Sequence, residues 1–134
     1  MISHSDRARL LMAAAEARAR AYAPYSDFRV GASVFTDNGQ LFTGCNIENA
    51  SYGLTICAER TAIFKAVSEG CTTITALAVC LEGGGSPCGA CRQVIHEFAP
   101  GIPVFIGDPD GNLVSETTLD QLLPDAFGPK NLGR

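Results

Sequence analysis

A chain of 134 residues that is 46% hydrophobic and 18% charged falls outside the disordered and fibrous classes. With 10 basic against 14 acidic residues its net charge is -4, and its lysines and arginines form no basic run. Nucleic-acid affinity rests on Lys/Arg contacts to phosphate, so the charge balance argues against a DNA or RNA partner.

Ser5 or Asp6 can cap a first helix that runs to about residue 21, with Leu10, Ala14, Ala17 and Ala21 on one face and Pro24 as its stop. Residues 29–35 read as a strand, Asp37-Asn38-Gly39 as a turn and residues 40–45 as the hairpin partner. Alanine and glutamate support a second helix over 58–69, ended by Gly70. Residues 73–81 form an apolar, β-branched strand, and Gly83-Gly84-Gly85-Ser86-Pro87 is a loop into a third helix over 89–98, closed by Pro100-Gly101. Residues 103–106 are another apolar strand, 109–112 a turn into a strand over 113–115, and 119–123 a short last helix. Helices placed between apolar strands imply a sheet covered on both faces. The expected fold is three-layer α/β/α with a mixed sheet of about five strands.

Six cysteines raise the question of a disulfide framework. A domain of this length buries roughly 68% of the surface its unfolded chain exposes, so residues 1–134 are read as one domain that stands without disulfides. The apolar run at 10–15 is shorter than the ~7–15-residue core of a secretion signal, and nothing approaches the ~18 apolar residues of a membrane span. The expected setting is the reducing cytoplasm, with no membrane partner, where clustered cysteines bind metal or do redox chemistry.

The informative residues are Cys57-Ala58-Glu59 and Pro87-Cys88-Gly89-Ala90-Cys91. Cys88 and Cys91, three apart on a first helical turn, share a face. Two thiolates at ~2.3 Å from one tetrahedral zinc are ~3.8 Å apart, a spacing that pair can meet. Cys57 opens the other interior helix, and the strand between the two helix starts puts both at the carboxyl end of the sheet, where ligands of open α/β sheets bind. Three sulfurs can converge there, while Cys45, Cys71 and Cys80 sit in or beside strands or a helix end. Three protein ligands leave one position for water, the catalytic pattern, at one Zn²⁺ per chain.

At a helix start Cys57 is not yet helical, so Glu59 can face the same pocket. A carboxylate there can take a proton from a zinc-activated water and pass it to a leaving amine. Three thiolates leave the site negative, so two helix N-termini and Arg60, with Arg92 as a second candidate, are expected to draw charge off the sulfurs. Plainer roles exist for each residue: a dithiol redox pair for Cys88 and Cys91, a helix-start acid for Glu59, core for Phe28, and turns for Asn46 and Glu48. Cys45, Cys71 and Cys80 are read as inert buried thiols, His4 as exposed and His96 as a surface or packing residue. Two competing functions follow. A structural zinc module requires a fourth protein ligand, and a thiol–disulfide oxidoreductase requires no metal.

Zinc deaminases carry an H-x-E…P-C-x-x-C signature with a three-cysteine variant, which C-A-E…P-C-G-A-C fits. The likeness extends through Ala23-Pro24-Tyr25-Ser26, Phe28-Arg29-Val30-Gly31-Ala32 and Gly44-Cys45-Asn46-Ile47-Glu48-Asn49-Ala50-Ser51-Tyr52. It continues in Arg60-Thr61-Ala62, Arg92-Gln93, Leu122-Leu123-Pro124 and Ala126-Phe127-Gly128-Pro129. On these residues the chain closely resembles the small cytidine deaminases of pyrimidine salvage. The resemblance implies hydrolysis of cytidine and deoxycytidine at C4 to uridine or deoxyuridine and ammonia. It implies that Asn46 and Glu48 hold ribose hydroxyls, that Phe28 packs on the pyrimidine, and that the Ala58 backbone reads the base edge. It also implies a homotetramer in which Phe127 and residues 50–52, Tyr52 included, reach the neighbouring subunit's site. The nearest rival within the family is a deaminase of a related cytosine nucleoside, such as a nucleoside antibiotic.

Overall fold

In the computed structural model, which describes residues 2–134, the first helix is α1 (His4–Arg18). Its cap is Ser3 rather than Ser5 or Asp6: the Ser3 hydroxyl accepts from the Asp6 amide at 3.1 Å. The helix also ends before the expected residue 21. Tyr22 must be extended there, because its amide donates to the Asn46 carbonyl at 3.0 Å and its carbonyl accepts from the Glu48 amide at 2.8 Å. Ala21 thus leaves the helix but stays buried, and the expected apolar face of Leu10, Ala14 and Ala17 is buried with Leu11.

The strands are β1 (Val30–Thr36), β2 (Leu41–Cys45), β3 (Ile74–Leu81), β4 (Pro103–Gly107) and β5 (Leu113–Thr118). They form one mixed sheet in the order β2-β1-β3-β4-β5, in which β3 and β4 are parallel and the other neighbours antiparallel. Successive strand residues point to opposite faces, and the two faces bury different partners. Phe35, Ala76, Ala78, Cys80 and Phe105 meet Leu10, Leu11 and Ala14 of α1. Ala32, Val34, Leu77, Val79, Val104 and Ile106 pack with buried residues of α2 (Ala58–Ser68) and α3 (Gly89–Phe98). This is the expected three-layer arrangement.

Most boundaries fall within a residue of expectation, and the exceptions have local causes. β5 runs on to Thr118 because Thr117 and Thr118 still pair with Val104 and Pro103. Thr118 then caps α4 (Leu119–Leu122) in a reciprocal bond pair with Gln121, which fixes where the strand ends. Two short 3-10 turns, Tyr52–Leu54 and Pro129–Leu132, carry no hydrophobic period and were not legible. Of the three cysteines expected to be buried, Cys71 and Cys80 are, but Cys45, on the edge strand β2, is only half-buried.

Two glycines set how closely the helices lie on the sheet. A Cβ on Gly31 would stand 1.9 Å from the Ala14 carbonyl oxygen, and one on Gly44 would stand 2.4 Å from the Ala62 nitrogen. Helix α1 therefore rests on β1 backbone to backbone, and α2 on β2 likewise.

Candidate active site

β2 and β3 are both antiparallel to β1, so their carboxyl ends, Cys45 and Leu81, lie at the same edge of the sheet beside Val30 and Gly31. The chain returns from that edge into α2 and α3, and each helix begins on a cysteine. Cys57 caps α2 with φ -77° and ψ 155°, and Cys88 caps α3 with φ -68° and ψ 171°. Both are extended, and neither side chain caps its own helix, so both sulfurs are available to a third party. Cys57 Sγ and Cys88 Sγ are 3.9 Å apart, and with Cys91 Sγ all three lie within 4.8 Å of one another. That matches the ~3.8 Å separation of two thiolates on one tetrahedral zinc, and soft thiolate donors select such a metal. The donor set fits Zn²⁺.

Three sulfurs this close do not share charge equally. The hydrogen bond from Cys91 holds the Cys57 thiol down at about 5, against the opposing effect of burial and with help from Arg60. The same bond, with burial and the nearby Glu59 charge, pushes Cys91 up. Arg60 supplies the expected countercharge: its Nη2 donates to Cys57 Sγ at 3.4 Å. Arg92 does not. Its three guanidinium nitrogens donate to the Pro87 carbonyl at 2.7 Å, the Leu122 carbonyl at 2.7 Å and Ser86 Oγ at 2.8 Å. These bonds, to two carbonyls and a hydroxyl, aim the guanidinium at the start of α3 and the end of α4 rather than at the sulfurs. Replacing Arg60 with Gln is expected to speed zinc loss to a chelator by about tenfold, the value of one charge-assisted hydrogen bond. Chelator competition measures it, and an unchanged rate would remove Arg60 from the charge balance.

Glu59 is 5% exposed. Burial raises its carboxyl to about 7; its own backbone amide works against that, the Cys57 charge adds to it and Arg60 lowers it. It lines a cavity of about 320 Å³ with Cys57, Cys88 and Ala58. Phe28, Asn46 and Glu48 line the same cavity, together with Val30, Val79 and Leu81 of the sheet. Residues 46–48 are held extended from both sides: Tyr22 pairs with them on one, and Ile47 exchanges 3.0 Å bonds with Ile56 on the other. Alternation then turns Asn46 and Glu48 to the cavity while Ile47 stays 44% exposed. Asn46 is also a brace, its Oδ1 accepting from the Val30 amide at 2.9 Å and its Nδ2 donating to the Phe28 carbonyl at 2.8 Å.

Of the residues expected to bind substrate, two lie outside this cavity. Tyr52 is 75% exposed, stands edge-on to Tyr25 at 5.8 Å between ring centroids, and lines an adjoining hollow that shares Glu48 and Thr55 with the cavity. Phe127 is 59% exposed and meets the helix layer through its carbonyl, which accepts from Gln93 Nε2 at 2.8 Å. Conversely, Ser26, Gly85 and Ser86 line the cavity without having been singled out. The Gly-rich spacing before Pro87 marked a loop but not where the fold carries it. His96 is a packing residue, as expected: a Cβ on Gly128 would meet its Nε2 at 2.6 Å.

Residues 4–106 match the family model of the cytidine and deoxycytidylate deaminase zinc-binding region. The chain is 50% identical over 130 residues to a cytidine deaminase of Sporosarcina psychrophila, covering 95% of each chain. It is 48% identical over 130 residues to a cytidine deaminase of Halalkalibacterium halodurans, covering 95% of this chain and 98% of that one. The crystal structure of cytidine deaminase from Burkholderia pseudomallei superposes with a TM-score of 0.85 at 46% identity, over 94% of this chain and all of that one. The mirrored start of two helices on cysteine, the sulfurs between them and these likenesses agree: the chain belongs to the zinc-binding cytidine and deoxycytidylate deaminase family.

Proposed function

We propose that the protein, as one deaminase domain over residues 1–134, hydrolyses cytidine and deoxycytidine to uridine and deoxyuridine with release of ammonia. The observation that carries this reading is a buried carboxylate, Glu59, in one cavity with two of the three zinc-spaced thiols, the aromatic ring of Phe28 and the polar pair Asn46 and Glu48. Cys57, Cys88 and Cys91 hold the zinc, one per chain. Zinc bound there supplies the Lewis acidity that makes water a nucleophile near neutral pH.

The remaining work falls to the chain's own groups. Glu59, with a carboxyl that titrates near 7, is placed to take a proton from the attacking water, deliver one to N3 of the base and carry one to the leaving amine. Its burial keeps that proton from bulk water. The Phe28 ring offers a flat apolar face to the pyrimidine, and the Ala58 backbone reads the base edge. Asn46 and Glu48 offer an amide and a carboxylate to sugar hydroxyls. Lining the cavity are two carboxylates, Glu48 and Glu59, and no lysine or arginine. A phosphorylated substrate would meet repulsion without compensation there, which favours a free nucleoside over a nucleotide.

The working form is proposed to be a cytoplasmic homotetramer acting in pyrimidine salvage. Tyr52 and Phe127, large, exposed and outside their own cavity, would each complete a neighbour's site. No helix among the described residues is long and apolar enough to cross a membrane. A substrate panel read by the ultraviolet change of cytosine deamination tests the assignment. Turnover of cytidine and deoxycytidine with none of cytidine 5′-phosphate is expected. Activity confined to a modified cytosine nucleoside would transfer the reading to that substrate.

A further inference from the structure

We propose that Ser26 is a positioning residue that locks Glu48 and Phe28 into one unit, so that the groups read here as holding the sugar and the base are set by a single hydroxyl. The proposal rests on the functional reading above. Ser26 Oγ donates to Glu48 Oε2 and accepts from the Phe28 amide at 3.0 Å. The directions are unambiguous, because an ionised carboxylate only accepts and a backbone N–H only donates. The Tyr25 and Ser26 amides donate to Glu48 Oε1 at 2.9 and 3.1 Å.

A carboxylate has about four lone-pair positions. Both on Oε1 are taken by amides and one on Oε2 by Ser26, which leaves a single acceptor position for a substrate hydroxyl. Three donors from two successive residues therefore hold the carboxylate in one orientation. The Ser26 hydroxyl is the foremost of the influences that keep the Glu48 carboxyl below its usual range.

The local backbone is bent to make this possible. Asp27, between Ser26 and Phe28, has φ +57°, and its amide closes a turn onto the Ala23 carbonyl at 3.0 Å. Such a conformation is disfavoured for a residue other than glycine and recurs where geometry serves a site. Ser26 is exposed, so burial in the core does not account for it.

The test compares the wild type, Ser26→Ala and Ser26→Thr, all loaded with zinc. Ser26→Ala is expected to raise KM for cytidine by about tenfold, the value of a hydrogen bond to a charged group, while kcat stays within about threefold. Ser26→Thr, which keeps the hydroxyl, is expected to restore most of the KM. A readout that needs no substrate is hydrogen exchange of the Phe28 amide, expected to quicken by roughly fivefold in Ser26→Ala and not in Ser26→Thr. An unchanged KM in a Ser26→Ala enzyme that turns over cytidine overturns the inference alone, as does equal impairment of the Ala and Thr variants. A wild type inert to cytidine overturns the functional reading, and with it the substrate-positioning role, even if Phe28 exchange still reports the bridge.

Discussion

Glu59→Gln is expected to keep one zinc per chain and to lose at least ~10²–10⁴-fold of its cytidine turnover, the range for removing a general acid–base group. Gln has the shape of Glu and cannot carry a proton between water, base and amine. The loss should exceed a single transfer's share, since the same carboxyl serves more than one. Metal analysis beside the kinetics separates this from simple loss of zinc. Turnover within tenfold of wild type in a zinc-loaded variant would remove Glu59 from its assigned role. A structural zinc module, by contrast, predicts no dependence on Glu59.

The same variant exposes the cost of keeping that carboxyl buried. In the unfolded chain Glu59 has the ordinary carboxyl value of 4.5, and burial in the folded chain pushes it up to about 7. Between those values the folded state holds the proton more tightly, so stability falls as pH rises through the window. The fall attributable to Glu59 is of the order of 3 kcal/mol, and Glu59→Gln lacks it. Cys57, held down at about 5 against an ordinary thiol value of 9.0, acts in the opposite sense over its own window. Comparing wild type with Glu59→Gln after chelation, by denaturant unfolding at pH 4.5 and pH 7.5, isolates the carboxyl. Parallel stability curves for the two proteins would show that burial does not raise it.

The second large effect is on stability. Gly44→Ala would put a Cβ 2.4 Å from the Ala62 nitrogen and 2.6 Å from the Ala58 carbonyl oxygen. Both are backbone atoms of α2 and cannot rotate aside, so helix or strand must shift. Overpacking of this kind costs about 1–3 kcal/mol and occasionally more. A loss of about 3 kcal/mol lowers Tm by roughly 10 °C in a chain of this size. The helix that moves carries Cys57, Ala58 and Glu59 at its start, so zinc affinity should fall as well. Gly31→Ala is the control, with its Cβ 1.9 Å from the Ala14 carbonyl of α1 on the opposite face. It should lower Tm at least as much while the folded fraction keeps its zinc affinity. Calorimetry with zinc titration checks both. Equal zinc affinity in the two variants would break the proposed link between β2 and the metal site.

The likeness between expectation and structure follows the range of the interactions involved. Alternating strand residues and helix starts on Cys57 and Cys88 are written within a few neighbouring positions, and the three layers and the thiol cluster could be read from them. Glu59 was legible for the same reason, since a two-residue offset from a cap turns a side chain into the site. Arg92 was misplaced because adjacency to Cys91 says nothing about the Ser86 hydroxyl and the Leu122 carbonyl, which α4 brings to it. The first helix was drawn too long because Tyr22 obeys a pairing with residues 46–48, not its own propensity.

Ser26 shows the same division at the site. Its place beside Phe28 was visible, but its bond to Glu48, 22 residues away, was not. Residue types and local spacing were enough to define three soft ligands and one carboxylate, Glu59, while the roles expected of Phe28, Asn46 and Glu48 came only with the family resemblance. The orientation of the Glu48 carboxylate and the burial that moves Glu59 toward neutrality depend on segments distant in the chain. Burial and hydrogen-bond direction are properties of the packed surroundings, and no local pattern of residues encodes them.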